Sequence, residues 1–199
     1  NILFKSMNIK IDKFLGDYLD KLNKFLLSSN IENIYKASQA IMDVSKRRKT
    51  IFVCGNGGSA AISNHYVCDY LKFLRQKSSL RPKVVSLSSN LETIMAIGND
   101  INFDQIFRYQ AESLAEKGDL LIVISSSGNS KNIKEVIKYA KGKKIKIIGF
   151  SGFNGGYVKK NSDISIHVNA KNYGLSEDSH HILMHVILQY LIKTIKKSN

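Results

Sequence analysis

The sequence predicts an α/β fold in which a parallel sheet is covered by helices on both faces. Three observations predict it: five short runs rich in β-branched residues recur along the chain, helical patterns separate them, and three of the runs end in Gly, Ser and Asn. The 199 residues, 43% hydrophobic with a single proline, suit one compact domain with a sizeable core.

The elements follow in order. Residues 1–7 are read either as an added leader, with Met7 the natural start, or as a disordered start. From residue 8 to 199 the chain reads as one domain, made of a helical hairpin (8–47) and an α/β core with a final helix (48–199). In the hairpin, "IDKFLGDYLDKLNKFLL" places Phe14, Leu15, Tyr18, Leu19, Leu22, Phe25 and Leu26 at helical spacing, and "IENIYKASQAIMDVSKR" continues the pattern. The strand runs are "TIFVC" (50–54), "KVVSL" (83–87), "DLLIVIS" (119–125), "KIKIIGF" (144–150) and "DISIHV" (163–168). The last segment, "EDSHHILMHVILQYLIKTIKK" (177–197), is apolar over much of a helix circumference, so it is expected at the centre of the fold or in a subunit contact of a homo-oligomer.

Composition excludes several functions. The longest apolar stretches are broken by charge before 18 residues, and no cleavable signal pattern occurs, so a cytoplasmic protein is expected. Cys54 and Cys68 are too few for a disulfide framework and are expected to be reduced and semi-buried. A net charge of +14 invites a nucleic-acid reading. The lysines are nevertheless spread out, with no long basic run and no aromatic interleaving. They read better as a solvated surface that attracts anionic metabolites, with no specific nucleic acid and no membrane as partner.

In parallel sheets the ligand binds outside the carboxyl ends of the strands, where this chain carries its glycines and serines. "GNGGS" follows the first run, "SSGNS" the third and "SGFNGG" the fourth. Glycines after a strand let backbone N–H groups approach an anion, and the next helix adds its dipole. The first loop is neither G-x-G-x-x-G nor a Walker pattern, which argues against dinucleotides and nucleoside triphosphates. Ser125, Ser126, Ser127 and Ser130 can donate to several oxygens of one phosphate. Gly, Ser and Asn also dominate ordinary turns, but their recurrence at successive strand ends favours a phosphomonoester site.

"CGNGGSAAISNH", "AIGNDINFDQIF", "GDLLIVISSSGNSKNI" and "SEDSHHILMHVI" together resemble the SIS (sugar isomerase) family, and within it the phosphoheptose isomerases. The likeness spans essentially the whole chain. It implies a single flavodoxin-like domain on a five-stranded parallel sheet, a homotetramer with sites at subunit contacts, and zinc. The implied activity is aldose–ketose isomerisation of a sugar phosphate such as sedoheptulose 7-phosphate, in heptose and surface-polysaccharide synthesis. The alternative is a non-catalytic SIS protein that binds the replication initiator or senses a sugar phosphate.

The family pattern implies substrate binding at Asn56, Gly57, Gly58, Ser59, Asn99, Asp100, Ser125, Ser126, Ser127, Ser130 and Glu177. Its metal pattern falls on His65, Asp69, Glu177 and His185. Two positions depart from it, with Asp69 where a glutamate is expected and Glu177 where a glutamine is expected. His185 is the candidate acid; Asp69 is the candidate base, a role that Glu177 could have taken over. On a helix His65 and Asp69 share one face and can converge on one ion. Glu177 and His185 would lie about 12 Å apart along a regular helix. Either Glu177 sits in a loop before the helix and folds back, or His181 replaces one of the pair. His180 is expected to point elsewhere, to a neighbouring subunit or the surface.

Overall fold

The computed structural model describes residues 2–195, with side chains from residue 10 onward. The expectation for residues 1–7 falls on a stretch whose side chains lie outside the described residues. The chain runs α1 (Ile2–Leu27), α2 (Ile31–Lys46), β1 (Thr50–Gly55), α3 (Gly58–Cys68), α4 (Arg75–Lys77), β2 (Lys83–Ser86), α5 (Leu91–Asp100), α6 (Arg108–Leu114), β3 (Leu120–Ser125), α7 (Lys131–Gly142), β4 (Lys146–Ser151), α8 (Gly156–Asn161), β5 (Ile164–His167) and α9 (Tyr173–Thr194). Between α3 and α4 the helix widens to π geometry over Asp69–Leu74. Asparagine side chains cap three helices: Asn30, Asn90 and Asn172 accept from the backbone N–H groups of Asn33, Thr93 and Leu175 at 2.8–3.0 Å.

All five predicted runs are strands, and every pairing is parallel in the order β2-β1-β3-β4-β5. The β-branched runs can be buried on both sides because alternate residues serve two separate cores. Ile51, Val53, Leu120, Ile122 and Ile124 face the layer of α1, α2, α3 and α9. Phe52, Cys54, Leu121 and Val123 face α5, α6, α7 and α8. Two carboxylates close the opposite end of the sheet, Asp119 accepting from Thr50 and Glu116 N–H at 2.8 Å each and Asp163 from Ile147 N–H at 2.7 Å.

The final helix begins four residues before the expected 177, because Asn172 caps it. Its inner side, from Leu175 to Leu191, is buried in the first core. His180 is on that side. It is fully buried against Phe150, with neither ring nitrogen hydrogen-bonded among the described residues, and burial pushes its pKa down to about 4. It therefore serves neither the surface nor a neighbouring subunit, as a helix apolar all round gives no sequence clue to its inner face. Both cysteines are free, but Cys68 is exposed rather than semi-buried. No described helix is long and apolar enough to cross a membrane.

At the carboxyl end of the sheet, Gly128 adopts φ +67° and packs so close to Gly155 that a Cβ would overlap its carbonyl. Gly128→Ala should therefore lower stability by about 1–3 kcal/mol. Gly16, inside α1 with open space where a methyl group would stand, provides the contrast. Gly16→Ala should raise stability by about 0.5–1 kcal/mol through helix propensity. Urea unfolding of the two variants checks both signs.

Candidate active site

The strand order changes direction between β1 and β3, so the loops after these strands diverge and leave a crevice. A reciprocal amide pair spans it: Asn56 Nδ2 donates to Asn132 Oδ1 at 2.9 Å and Asn132 Nδ2 to Asn56 Oδ1 at 3.0 Å. This pair fixes the "GNGGS" loop against the start of α7. Asn132, two residues past the serine loop, was missed as a site residue, although "GNSKN" already places two amides beside those serines.

The crevice opens into a cleft of about 130 Å³ lined by Asn56, Ser59, Ser125, Ser126, Ser127 and Ser130, with Tyr173 and Glu177 arriving from α9. Ser125 and Ser130 hydroxyls stand 3.5 Å apart. The Ser126 hydroxyl is buried without a partner among the described residues, so it is a donor with unused capacity. Ser127 accepts from Asn129 N–H at 3.2 Å, which leaves its own proton available. Tyr173 was also missed; its ring tilts against Phe153 with centroids 4.9 Å apart at the cleft's edge.

Glu177 lies within α9, not in a loop ahead of it. Its carboxylate sits against Gly58 so closely that a Cβ there would overlap it. Gly58 is the first residue of α3, with Gly57 as its cap, so the protein supplies its own anion to that positive helix end. The serine loop is then the part of the cleft with room for a phosphate. Asn99 and Asp100 do not line the cleft; they are exposed at the end of α5 and bonded to each other at 2.8 Å.

Beside the cleft, α3 and α9 bring His65, Asp69 and His185 together. His65 Nε2 and Asp69 Oδ2 are 3.4 Å apart, His185 Nε2 and Asp69 Oδ2 3.1 Å, and the two Nε2 atoms 3.3 Å. A tetrahedral zinc ion with bonds of about 2.0–2.1 Å has ligand–ligand edges of about 3.3 Å, so this triangle fits one face of such a site. His181 approaches the two other imidazoles, its donor atom and those of His65 and His185 all within 4.8 Å of one another, a group that includes neither Asp69 nor Glu177. The His181 pKa is lowered, first by burial and then by His185 and His65, which keeps the imidazole neutral and able to ligate.

The profile of the SIS domain matches residues 15–152. The phosphoheptose isomerase of Campylobacter concisus is 39% identical over 154 residues, covering 77% of this chain and 80% of the relative. That of Buchnera aphidicola from Acyrthosiphon pisum is 35% identical over 198 residues, covering 99% of this chain and 98% of the relative. The solved structure of a phosphoheptose isomerase from Francisella tularensis superposes with a TM-score of 0.85 at 26% identity, over 94% of this chain and 98% of the other. With a serine-lined crevice at the switch point and the profile covering more than half its length, the chain belongs to the SIS domain family, in its phosphoheptose isomerase branch.

Proposed function

We propose that the chain is an aldose–ketose isomerase interconverting sedoheptulose 7-phosphate and D-glycero-D-manno-heptose 7-phosphate, in the cytoplasm, on the route to surface heptose. The observation that carries this reading is the junction of a hydroxyl-rich cleft with an imidazole–carboxylate cluster, both bordered by α3 and α9. A pure scaffold or sensor has no use for the second half. The phosphate would be held by Ser125, Ser126, Ser127 and Ser130, with Asn56 and Ser59 beside them, leaving the sugar chain to extend toward His65 and His185.

The reaction moves a proton between adjacent carbons through an enediolate. A carboxylate must take that proton, and Asp69 and Glu177 both border the path. His185 is placed to exchange protons with the sugar oxygens. His65, Asp69 and His185 would hold zinc, with Glu177 as the fourth residue of the family pattern. When bound, zinc supplies Lewis-acid polarisation of the carbonyl.

A homotetramer completes the proposal. Ile11, Phe14, Leu15 and Leu19 form an exposed apolar stripe on α1, and Val186 and Tyr190 of α9 are also exposed. Burying these surfaces between copies would remove them from water. Asn99 and Asp100, which miss the cleft of their own chain, would serve a neighbouring copy's site. The protein should therefore sediment as a tetramer at micromolar concentration; a monomer would refute the assembly.

Ser127→Ala and Ser130→Ala should each weaken substrate binding by about 1.5–3 kcal/mol, the worth of a hydrogen bond to a charged group, with the fold intact. Steady-state kinetics on sedoheptulose 7-phosphate reads this as a rise in KM, and an unchanged KM in both variants would remove the loop from phosphate binding. The base is identified by a second pair. Asp69→Asn or Glu177→Gln should abolish turnover while substrate still binds, since an amide cannot accept the proton at neutral pH. Wild-type rates in both variants and in His185→Ala, on the best substrate of a sugar-phosphate panel, would dismiss this catalytic site.

A further inference from the structure

Three arginines gather at the amino ends of the first two strands, the sheet end opposite the serine loops. β1 and β2 are parallel neighbours with Thr50 opposite Lys83, so Arg48 and Arg81, each two residues ahead of its strand, meet there. Arg75, the first residue of α4, joins them from the end of the widened helix. With Leu71 and Pro82 they line a pocket of about 370 Å³ that shares no residue with the serine-lined cleft.

No carboxylate lines this pocket. Among the described residues none of the three guanidinium groups is in an ion pair, whereas Arg108 holds both Glu112 and Glu135. Two of the three are nevertheless fixed through one nitrogen each. Arg48 Nη1 donates to the Arg81 carbonyl, and Arg81 Nη1 to the carbonyls of Ser78 and Leu80 at 3.2 and 2.9 Å. Their remaining N–H donors stay available to a ligand. Arg48 also has an unusual backbone. It follows the cap of α2 with φ +59°, its N–H bonded to the Ser45 carbonyl and that of Lys49 to Val44, a helix ending in which glycine is the usual residue. A side chain there carries a backbone strain that glycine would avoid.

We propose that this pocket binds a small anion carrying two or more phosphate groups, at a site separate from the isomerase cleft. Like charges gathered without a counter-charge repel one another, and phosphate oxygens set between guanidinium forks remove that repulsion while accepting paired hydrogen bonds. A diphosphate suits three arginines better than a single phosphate does, because its charge is spread over two groups that separate forks can grip. Leu71 and Pro82 give the pocket apolar surface as well. Nucleic acid fits less well: the arginines converge on one concavity, and the lysines elsewhere are spread out with no long basic run. The site stands whether or not the chain is an isomerase.

The test is calorimetric titration of the full chain with inorganic pyrophosphate, ADP and orthophosphate. Pyrophosphate and ADP should both bind, and orthophosphate about tenfold more weakly or worse; the tighter of the first two tells an inorganic source from a nucleotide. Affinity should fall as salt is added. Arg75→Ala and Arg81→Ala should each weaken pyrophosphate binding by about tenfold or more, the loss of a charge-assisted hydrogen bond. Ser127→Ala and Ser130→Ala should leave it unchanged, since those hydroxyls serve the other end of the sheet. Arg48→Gly should weaken binding by a similar factor while Tm stays level or rises, because glycine suits the left-handed position and a residue kept only for folding would lower it.

No saturable pyrophosphate binding by the parent chain, equal affinity for orthophosphate and pyrophosphate, unchanged binding in the three arginine variants, or equal losses in the serine variants would each overturn the site. So would a DNA duplex that binds more tightly than pyrophosphate at about 0.15 M salt and depends on the same arginines.

Discussion

The pairing of β1 with β3 rather than with its sequence successor alone is the constraint on which the site depends. Because β2 lies on one side of β1 and β3 on the other, the connections leaving β1 and β3 must go to opposite faces of the sheet. Neither loop can fill the space between them. The reciprocal Asn56–Asn132 pair holds that gap at fixed width, satisfying two side-chain amides that would otherwise need water. Close backbone approach at Gly128 and Gly155 sets the serine loop behind it. The cleft is thus a consequence of topology, and its chemistry is that of the short polar residues such turns require.

The second half of the site comes from helices. α3 enters from the first loop and carries His65 outward, while α9 crosses the same end of the sheet with its inner side buried in the core. Burying a Leu or Ile side chain is worth about 1.5–3 kcal/mol, so the Leu183, Met184, Ile187 and Leu188 contacts fix α9 far more firmly than any exposed ion pair could. A bond of 2.6 Å from Tyr18 of α1 to Asp178 adds a tie near the start of α9. The rigidity of the imidazole cluster is therefore inherited from apolar packing on the other side of the same helix.

The sheet was legible because strands buried on both faces must be apolar without alternation, and five such runs stand out from the lysine-rich segments between them. The strand-end loops were legible for the same reason that they work: Gly, Ser and Asn are what a tight approach to an anion needs. The inner face of α9 was not legible. A helix apolar around most of its circumference offers no period from which to choose among His180, His181 and His185, so only packing shows that His180 goes inward and the other two toward His65. The start of α9 was misplaced by four residues because the capping role of Asn172 was overlooked, and this left open the alternative that Glu177 sits in a loop before the helix. Cys68 is the last residue of α3, beside the widened turn, and composition carries no mark of which way it faces.

That widened turn has a consequence for any comparison made by counting. Before it, Tyr66 points into the core; at its start, Asp69 faces the histidines while Tyr70 stacks on Tyr66 at 4.0 Å; at its end, Leu74 is again fully buried. A run from 66 to 70 to 74 looks like ordinary helical spacing, yet the turn between Asp69 and Leu74 holds an extra residue's worth of chain. Residues on either side consequently belong to two different frames, offset by up to about 100° around the axis. Substitutions transplanted into this segment from a protein with an unbroken α-helix would land correctly as far as Tyr70, which still stacks on Tyr66, and drift off their face toward the end of the widened turn, unless the alignment is anchored separately at Leu74.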